Sequence, residues 1–230
     1  MIEQKVGLFI DAENIPSFYY PVLRMGAESY GKLVYCNVFG NWQSPTMAGW
    51  IKIPAINKYA YNAKKGTKNA TDMEIVINVM DVLYSQTINV FCIASNDSDF
   101  LPLIARLRQA GVEVIVLGKK KLTPLLQEAS SQSIIADNLF PKLSKEDYGN
   151  IDAILLFFEK IYLVEASYGD DWISIQRFAK WIGPAAPKLL LPPLGYKNMV
   201  AFLKAHPDHF FYRKGIQGHP EFKLKKDDRD

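Results

Sequence analysis

The chain has 230 residues, 49% of them hydrophobic and 22% charged, an ordinary soluble composition whose length fits one large domain or two small ones. Its net charge of +3 is compatible with a nucleic-acid partner but too small to mark one. Two cysteines, Cys36 and Cys92, lie in separate apolar runs, which excludes a disulfide framework or a cysteine metal site and points to buried thiols in a reducing compartment such as the cytoplasm.

Residues 1–140 alternate strand-like and helix-like segments. Short β-branched or aromatic runs predict strands at 6–10, 33–39, 56–61, 89–94, 112–117 and 133–136. Between them, helices are predicted at 17–29, 45–53, 71–84, 99–110 and 122–130. The third carries Met73, Val76, Ile77, Met80, Leu83 and Tyr84 at helical spacing, an amphipathic stripe. Strands alternating with helices of this length predict βαβ units and a mainly parallel sheet. Residues 141–150, with Pro141, Gly149 and mixed charges, read as a linker. Over 151–226 the pattern changes to helices at 151–166, 172–182 and 195–206 and a ribbon of Phe210-Phe211-Tyr212 and Glu221-Phe222-Lys223-Leu224, the order of a small winged-helix domain. No signal-peptide pattern is present, and no apolar run approaches the ~20 residues of a membrane span.

The acidic residues carry the chemistry. The apolar run from Val6 to Ile10 ends on Asp11, with Asn14 three residues on, and the run from Val90 to Ala94 is followed by Asp97 and Asp99. In a parallel sheet the first and fourth strand ends can be neighbours, at the edge where open α/β sheets bind ligands. Asp72 opens the third helix and can approach the same edge. Carboxylates gathered there repel one another unless a proton or a hard cation neutralises them, and oxygen ligands suit Mg²⁺ or Mn²⁺. Each aspartate also has an ordinary use. Thr71-x-x-Glu74 reads as a capping box, and Asp97, Ser98 and Asp99 suit a helix N-cap or first turn. Their joint placement at one edge is what capping alone does not require.

Two lysine groups, Lys64, Lys65 and Lys68 and then Lys119, Lys120 and Lys121, fall near that edge and suit a polyanion, and Trp42, Trp50, Tyr59 and Tyr61 suit either base stacking or core. Nucleotide-binding glycine loops and a serine-nucleophile elbow are absent. His206, His209 and His219 lack zinc-like partners.

At Gly7-Leu8-Phe9-Ile10-Asp11-Ala12-Glu13-Asn14-Ile15, Lys68-Asn69-Ala70-Thr71-Asp72 and Ala94-Ser95-Asn96-Asp97-Ser98-Asp99-Phe100-Leu101-Pro102-Leu103, the chain resembles the NYN family of PIN-like, LabA-like proteins. The resemblance covers about residues 4–140. It implies a three-layer α/β/α sandwich and an RNA-cleaving site for Mg²⁺ or Mn²⁺, with metal carboxylates at Asp11, Asp72, Asp97 and Asp99 and Asn14 beside them. Asn96 and Asn78 depart from the family pattern, which often has Gly or Ser at the first position and Asp at the second.

The segment from Trp172 to Phe178, that from Gly195 to Leu203 and the closing ribbon resemble the OST-HTH (LOTUS) winged helix, which implies binding of RNA or a protein. Twelve basic against twelve acidic residues over 146–230 argue against a strongly phosphate-driven binder. Lys197, Lys204, Arg213 and Lys214 are the candidates for a local basic face. Three functions follow: a metal-dependent ribonuclease, a catalytically weak or inactive RNA-binding or regulatory adaptor that keeps the fold, and a scaffold whose winged helix holds a protein.

Overall fold

The computed structural model describes residues 4–53, 56–60, 69–140, 146–147, 149–166, 172–182, 191–215 and 218–225. The chain divides into two compact units, Met1–Leu139 and Phe140–Asp230.

In the first unit the alternation runs β1 (Lys5–Asp11), α1 (Tyr20–Glu28), β2 (Lys32–Gly40), α2 (Ala48–Ile51), β3 (Asn57–Ala60), α3 (Ala70–Ser85), β4 (Val90–Ala94), α4 (Leu101–Gln109), β5 (Glu113–Gly118), α5 (Pro124–Ala129) and β6 (Gln132–Ile135). The strands form one sheet in the order β3-β2-β1-β4-β5-β6, and every neighbouring pair is parallel. Successive strand residues point to opposite faces, so the apolar runs supply two cores. Phe9, Phe39, Phe91, Ile93, Val114 and Val116 pack with Ile75 and Val79 of α3, Ile104 and Leu107 of α4 and Leu126 of α5. Leu8, Ile10 and Ile115, of opposite parity, are buried as well, as are Tyr20 and Leu23 of α1 and Trp50 of α2. This is the mixed α/β sandwich expected from the alternation.

Three predicted helices begin differently. Each opens as a 3-10 turn, at Ser17–Tyr19, Pro45–Met47 and Ser98–Phe100, before the α-helix starts. Pro21 and Pro102 sit in the first turn of α1 and α4, where a missing N–H costs nothing. In α3 only part of the predicted stripe packs inward, with Leu83 buried and Val76 and Met80 half-buried against the core. Met73, Ile77 and Tyr84 are exposed, while Thr71, Ile75, Val79, Val82 and Leu83 face the sheet. The helix carries apolar residues on more than one face, so periodicity alone did not select the packed side.

The second unit contains α6 (Ile151–Ala166), β7 (Ile173–Ser174), α7 (Ile175–Ile182), α8 (Met199–Ala205), β8 (Phe210–Lys214) and β9 (Pro220–Leu224). The helix predicted from 172 instead begins with a strand, and β7 joins β9 and β8 in an antiparallel sheet. Asn198 delays α8 by capping it, accepting from the Ala201 N–H at 2.9 Å. Asn150 does the same for α6, accepting from Asp152 and Ala153. An aromatic cluster forms the core, with Phe158 at 4.8 Å from Phe178, 5.0 Å from Phe202 and 6.3 Å from Phe210 between ring centres. Among the described residues no helix is long and apolar enough to cross a membrane.

Candidate active site

All strands of the first sheet point the same way, so their C-terminal ends share one edge. The winding direction reverses between β1 and β4, and a crevice opens outside the strand ends at such a switch point. Asp11 is the last residue of β1, and the register Ile10 to Ala94 brings it beside Ser95, one residue past β4. Both of its carboxylate oxygens accept hydrogen bonds. Oδ2 accepts from the Ser95 hydroxyl at 3.0 Å, and Oδ1 accepts from the main-chain N–H groups of Glu13 at 3.2 Å and Asn14 at 3.1 Å. Burial nevertheless pushes the carboxyl up to about 6; the Ser95 and Asn14 hydrogen bonds oppose the rise and the Asp72 charge adds to it.

Ser95 links the second acidic loop to the first, since its Oγ accepts from the Asp97 N–H at 3.1 Å. Asp97 in turn caps the turn before α4, accepting from the Asp99 N–H at 2.9 Å. The capping use and the cleft position coincide in one residue. Asp72 lies half-buried in the first turn of α3. Its carboxyl is raised first by burial and then by the charges of Asp97, Glu13 and Asp99. Asp11, Asp97 and Asp99 thus stand at or just past the ends of β1 and β4, and Asp72 is close enough to each of them for their charges to interact.

The predicted capping box at Thr71 is not formed. α3 opens on Asn69 in a left-handed conformation, φ 60°, with no side-chain cap. The Thr71 hydroxyl donates instead to Glu13 Oε1 at 2.9 Å, which also accepts from the Asn41 N–H at 3.0 Å. Glu13 thus joins the ends of β1 and β2 to the start of α3 and adds a fifth carboxylate. Its only sequence signal was its place between Asp11 and Asn14.

Asn14 is half-buried, and its carbonyl accepts from the Lys119 ammonium at 3.4 Å. Lys120 and Lys121 are exposed, and Lys64, Lys65, Lys68 and Tyr61 lie outside the described residues. Trp50 is no stacking platform: it is fully buried and donates through Nε1 to the Ile15 carbonyl at 3.2 Å. Tyr59 packs on Phe39, with ring centres 5.0 Å apart, and Trp42 donates to the Tyr59 carbonyl.

Asn78 belongs to a different network. It accepts from the buried Asn37 amide at 2.9 Å, and Asn37 accepts from Asn57 at 2.9 Å, a chain that joins α3, β2 and β3. Asn78→Ala is expected to destabilise the fold by about 1–3 kcal/mol, because it strips a buried donor of its partner. Asn78→Asp keeps an acceptor there and is expected to cost less. Urea unfolding of both variants checks the order.

In the second unit the proposed basic face is divided. Arg213 stacks on Trp172 at 4.1 Å and pairs with Glu221 at 2.8 Å, whereas Lys204 lies over Tyr212 at 5.0 Å. Tyr212 and Arg213 are adjacent on β8 and so face opposite ways. Lys197 and Lys214 are exposed. His206 contacts the Tyr196 hydroxyl, His209 pairs with Glu159, and His219 meets Gln176.

No curated protein matches the chain. Among solved structures, a protein of unknown function from Vibrio parahaemolyticus is 15% identical with a TM-score of 0.48, over 60% of this chain and 95% of its own. The model of the NYN domain matches residues 5–139, which span the whole six-stranded sheet. That is more than half of the chain, which therefore belongs to the NYN domain family.

Proposed function

We propose that the first unit is a ribonuclease dependent on Mg²⁺ or Mn²⁺. The observation that carries this reading is the linked set Asp11, Ser95 and Asp97 at the sheet's switch point, with the Asp72 charge beside it. Among the described residues no three acidic, histidine or cysteine side chains are grouped so as to hold an ion by themselves. The donor chemistry still fits, since Mg²⁺ is commonly held by one or two carboxylates together with waters and substrate phosphates. Asp11, Asp72, Asp97 and Asp99 would hold it. When bound, such an ion lowers the pKa of water and neutralises charge on a phosphodiester's leaving oxygen. Asn14 orients the attacking water or the phosphate without adding charge. Lys119 and Lys120, with Lys64, Lys65 and Lys68, offset the repulsion between an RNA backbone and the carboxylates.

The second unit, in this reading, is an OST-HTH (LOTUS) winged helix that selects RNA or holds a protein partner through separate basic contacts, Lys197, Lys204 and Lys214 and, facing the other way on β8 from Tyr212, Arg213. Two buried thiols, Cys36 and Cys92, suit a reducing cytoplasm. The alternative is an RNA-binding adaptor that keeps the fold without cleaving, favoured by the lack of an ion-holding group among the described residues.

The test is cleavage of end-labelled single-stranded and hairpin RNA with Mn²⁺, Mg²⁺ or EDTA, alongside Asp97→Asn purified in parallel. The nuclease reading expects metal-dependent products and a loss of roughly a hundredfold or more in the variant. Equal cleavage by both proteins, or none by either at high concentration, removes the nuclease reading.

A further inference from the structure

We infer that Asn96 is a positioning residue that holds Lys119 as the phosphate-binding cation of the cleft. This rests on the reading of that cleft as an RNA site. Asn96 stands between Ser95 and Asp97, yet its side chain points its hydrogen bonds at another loop. Oδ1 accepts from the Lys119 N–H at 2.7 Å, and Nδ2 reaches the Lys120 and Lys121 carbonyls at 3.4 and 3.5 Å. One side chain therefore ties Lys119 to the loop that carries Asp97 by a short hydrogen bond and reaches the next two residues at longer range.

The same segment is held from its other side. The Lys119 carbonyl accepts from the Asp137 N–H at 3.3 Å, and the Asp137 carboxylate accepts from the Tyr19 hydroxyl at 2.6 Å. The segment also packs closely on the end of β5. A Cβ at Gly118 would lie 2.5 Å from Leu122 Cδ2 and 3.0 Å from the Lys120 carbonyl oxygen. These contacts leave the half-buried Lys119 ammonium at the Asn14 carbonyl, 3.4 Å away. Asn14 is bonded through its own N–H to Asp11. The cation is thus tied into the acidic site through a neutral oxygen, and among the described residues no carboxylate pairs with it. An ammonium has three donors and no acceptor. A phosphodiester entering an acidic cleft needs a cation for its non-bridging oxygens, and Lys119 is the one held beside Asn14.

The test is a double-mutant cycle on the full chain. Binding of a short, fluorescently labelled single-stranded RNA is measured by anisotropy across a salt series, in EDTA and again with Ca²⁺. Lys119→Met removes the charge and keeps the stem, and is expected to weaken binding by roughly three- to tenfold and to lower the salt slope by about 0.7. Asn96→Ala is expected to reproduce most of both effects. In the Lys119→Met background it is expected to add nothing, because the two residues act as one. Melting temperatures of all four proteins separate this from loss of fold. If Asn96→Ala weakens binding equally with and without Lys119, it is an ordinary loop contact and the inference falls. It falls also if Lys119→Met leaves affinity and slope unchanged, or if the wild-type chain binds no RNA. Coupled binding without metal-dependent cleavage by the wild type would remove the nuclease reading and keep the clamp. Cleavage without coupling would do the reverse.

Discussion

Asp11→Asn is expected to abolish RNA cleavage while making the metal-free protein more stable at neutral pH. The first half follows from the residue's place between Ser95 and Asn14 at the switch point. A loss of about two orders of magnitude or more is expected for a carboxylate central to a metal site. The second half follows from burial, since Asp11 is 5% exposed and its carboxyl is raised from 3.8 to about 6. A raised carboxyl is held best when protonated. Its contribution to stability is complete below the unfolded value of 3.8 and is lost as pH rises through about 6. Above that, holding the charge costs on the order of 1–3 kcal/mol. Asparagine has nearly the same shape and no charge to bury. The stability difference between the two proteins should therefore be near zero around pH 4 and full above pH 7. Added Mn²⁺ should raise the melting temperature of the wild type, because an ion that binds only the folded state stabilises it, and should leave the variant unmoved. Denaturation across pH, with and without metal, reads both halves. An active variant, or a stability difference that does not change with pH, would remove Asp11 from the site.

Asp11, Asp97 and Asp99 were visible in the sequence because apolar runs end on or just before them, and parallel strands share an edge. Their convergence then depends on β1 lying beside β4, which a register of five paired residues provides. Other parts left no such mark. Glu13 gains its role from Thr71, 58 residues away, and Asn96 from Lys119, 23 residues away. A side-chain hydrogen bond across that distance has no periodicity to betray it. Asn78 stood out only as a departure from the family pattern, yet its partner Asn37 is a buried polar residue inside a strand that otherwise reads as apolar. The strand at Ile173–Ser174 is two residues long and exists through its pairing with Phe222 and Glu221, so local sequence read it as helix.

Phe158→Ala is expected to unfold the second unit and leave the first intact. Phe158 is 1% exposed and sits among Phe178, Phe202 and Phe210, with Phe157 also at 6.4 Å. Truncating a buried phenylalanine typically costs about 3–5 kcal/mol, and aromatic pairs add about 0.5–1.5 kcal/mol beyond their buried area. A small domain has only about 5–15 kcal/mol to lose and lies toward the low end of that range. Melting should separate into two transitions, the lower one belonging to the second unit. Phe211→Ala is the control. It lies next to Phe210 on β8, points the other way and is 48% exposed, with the Lys225 ammonium 4.8 Å above its ring. Its removal should change stability by only about 0.5 kcal/mol or less. The pair separates two roles of the second unit. If it selects RNA, Phe158→Ala weakens RNA binding while saturating single-turnover cleavage by the first unit is unchanged. If its outer sheet face makes the contact, Phe211→Ala weakens binding as well without moving the melt. A single melting transition lowered as a whole by Phe158→Ala would mean that the two units fold as one, and the loss of RNA binding would then say nothing about which unit holds it.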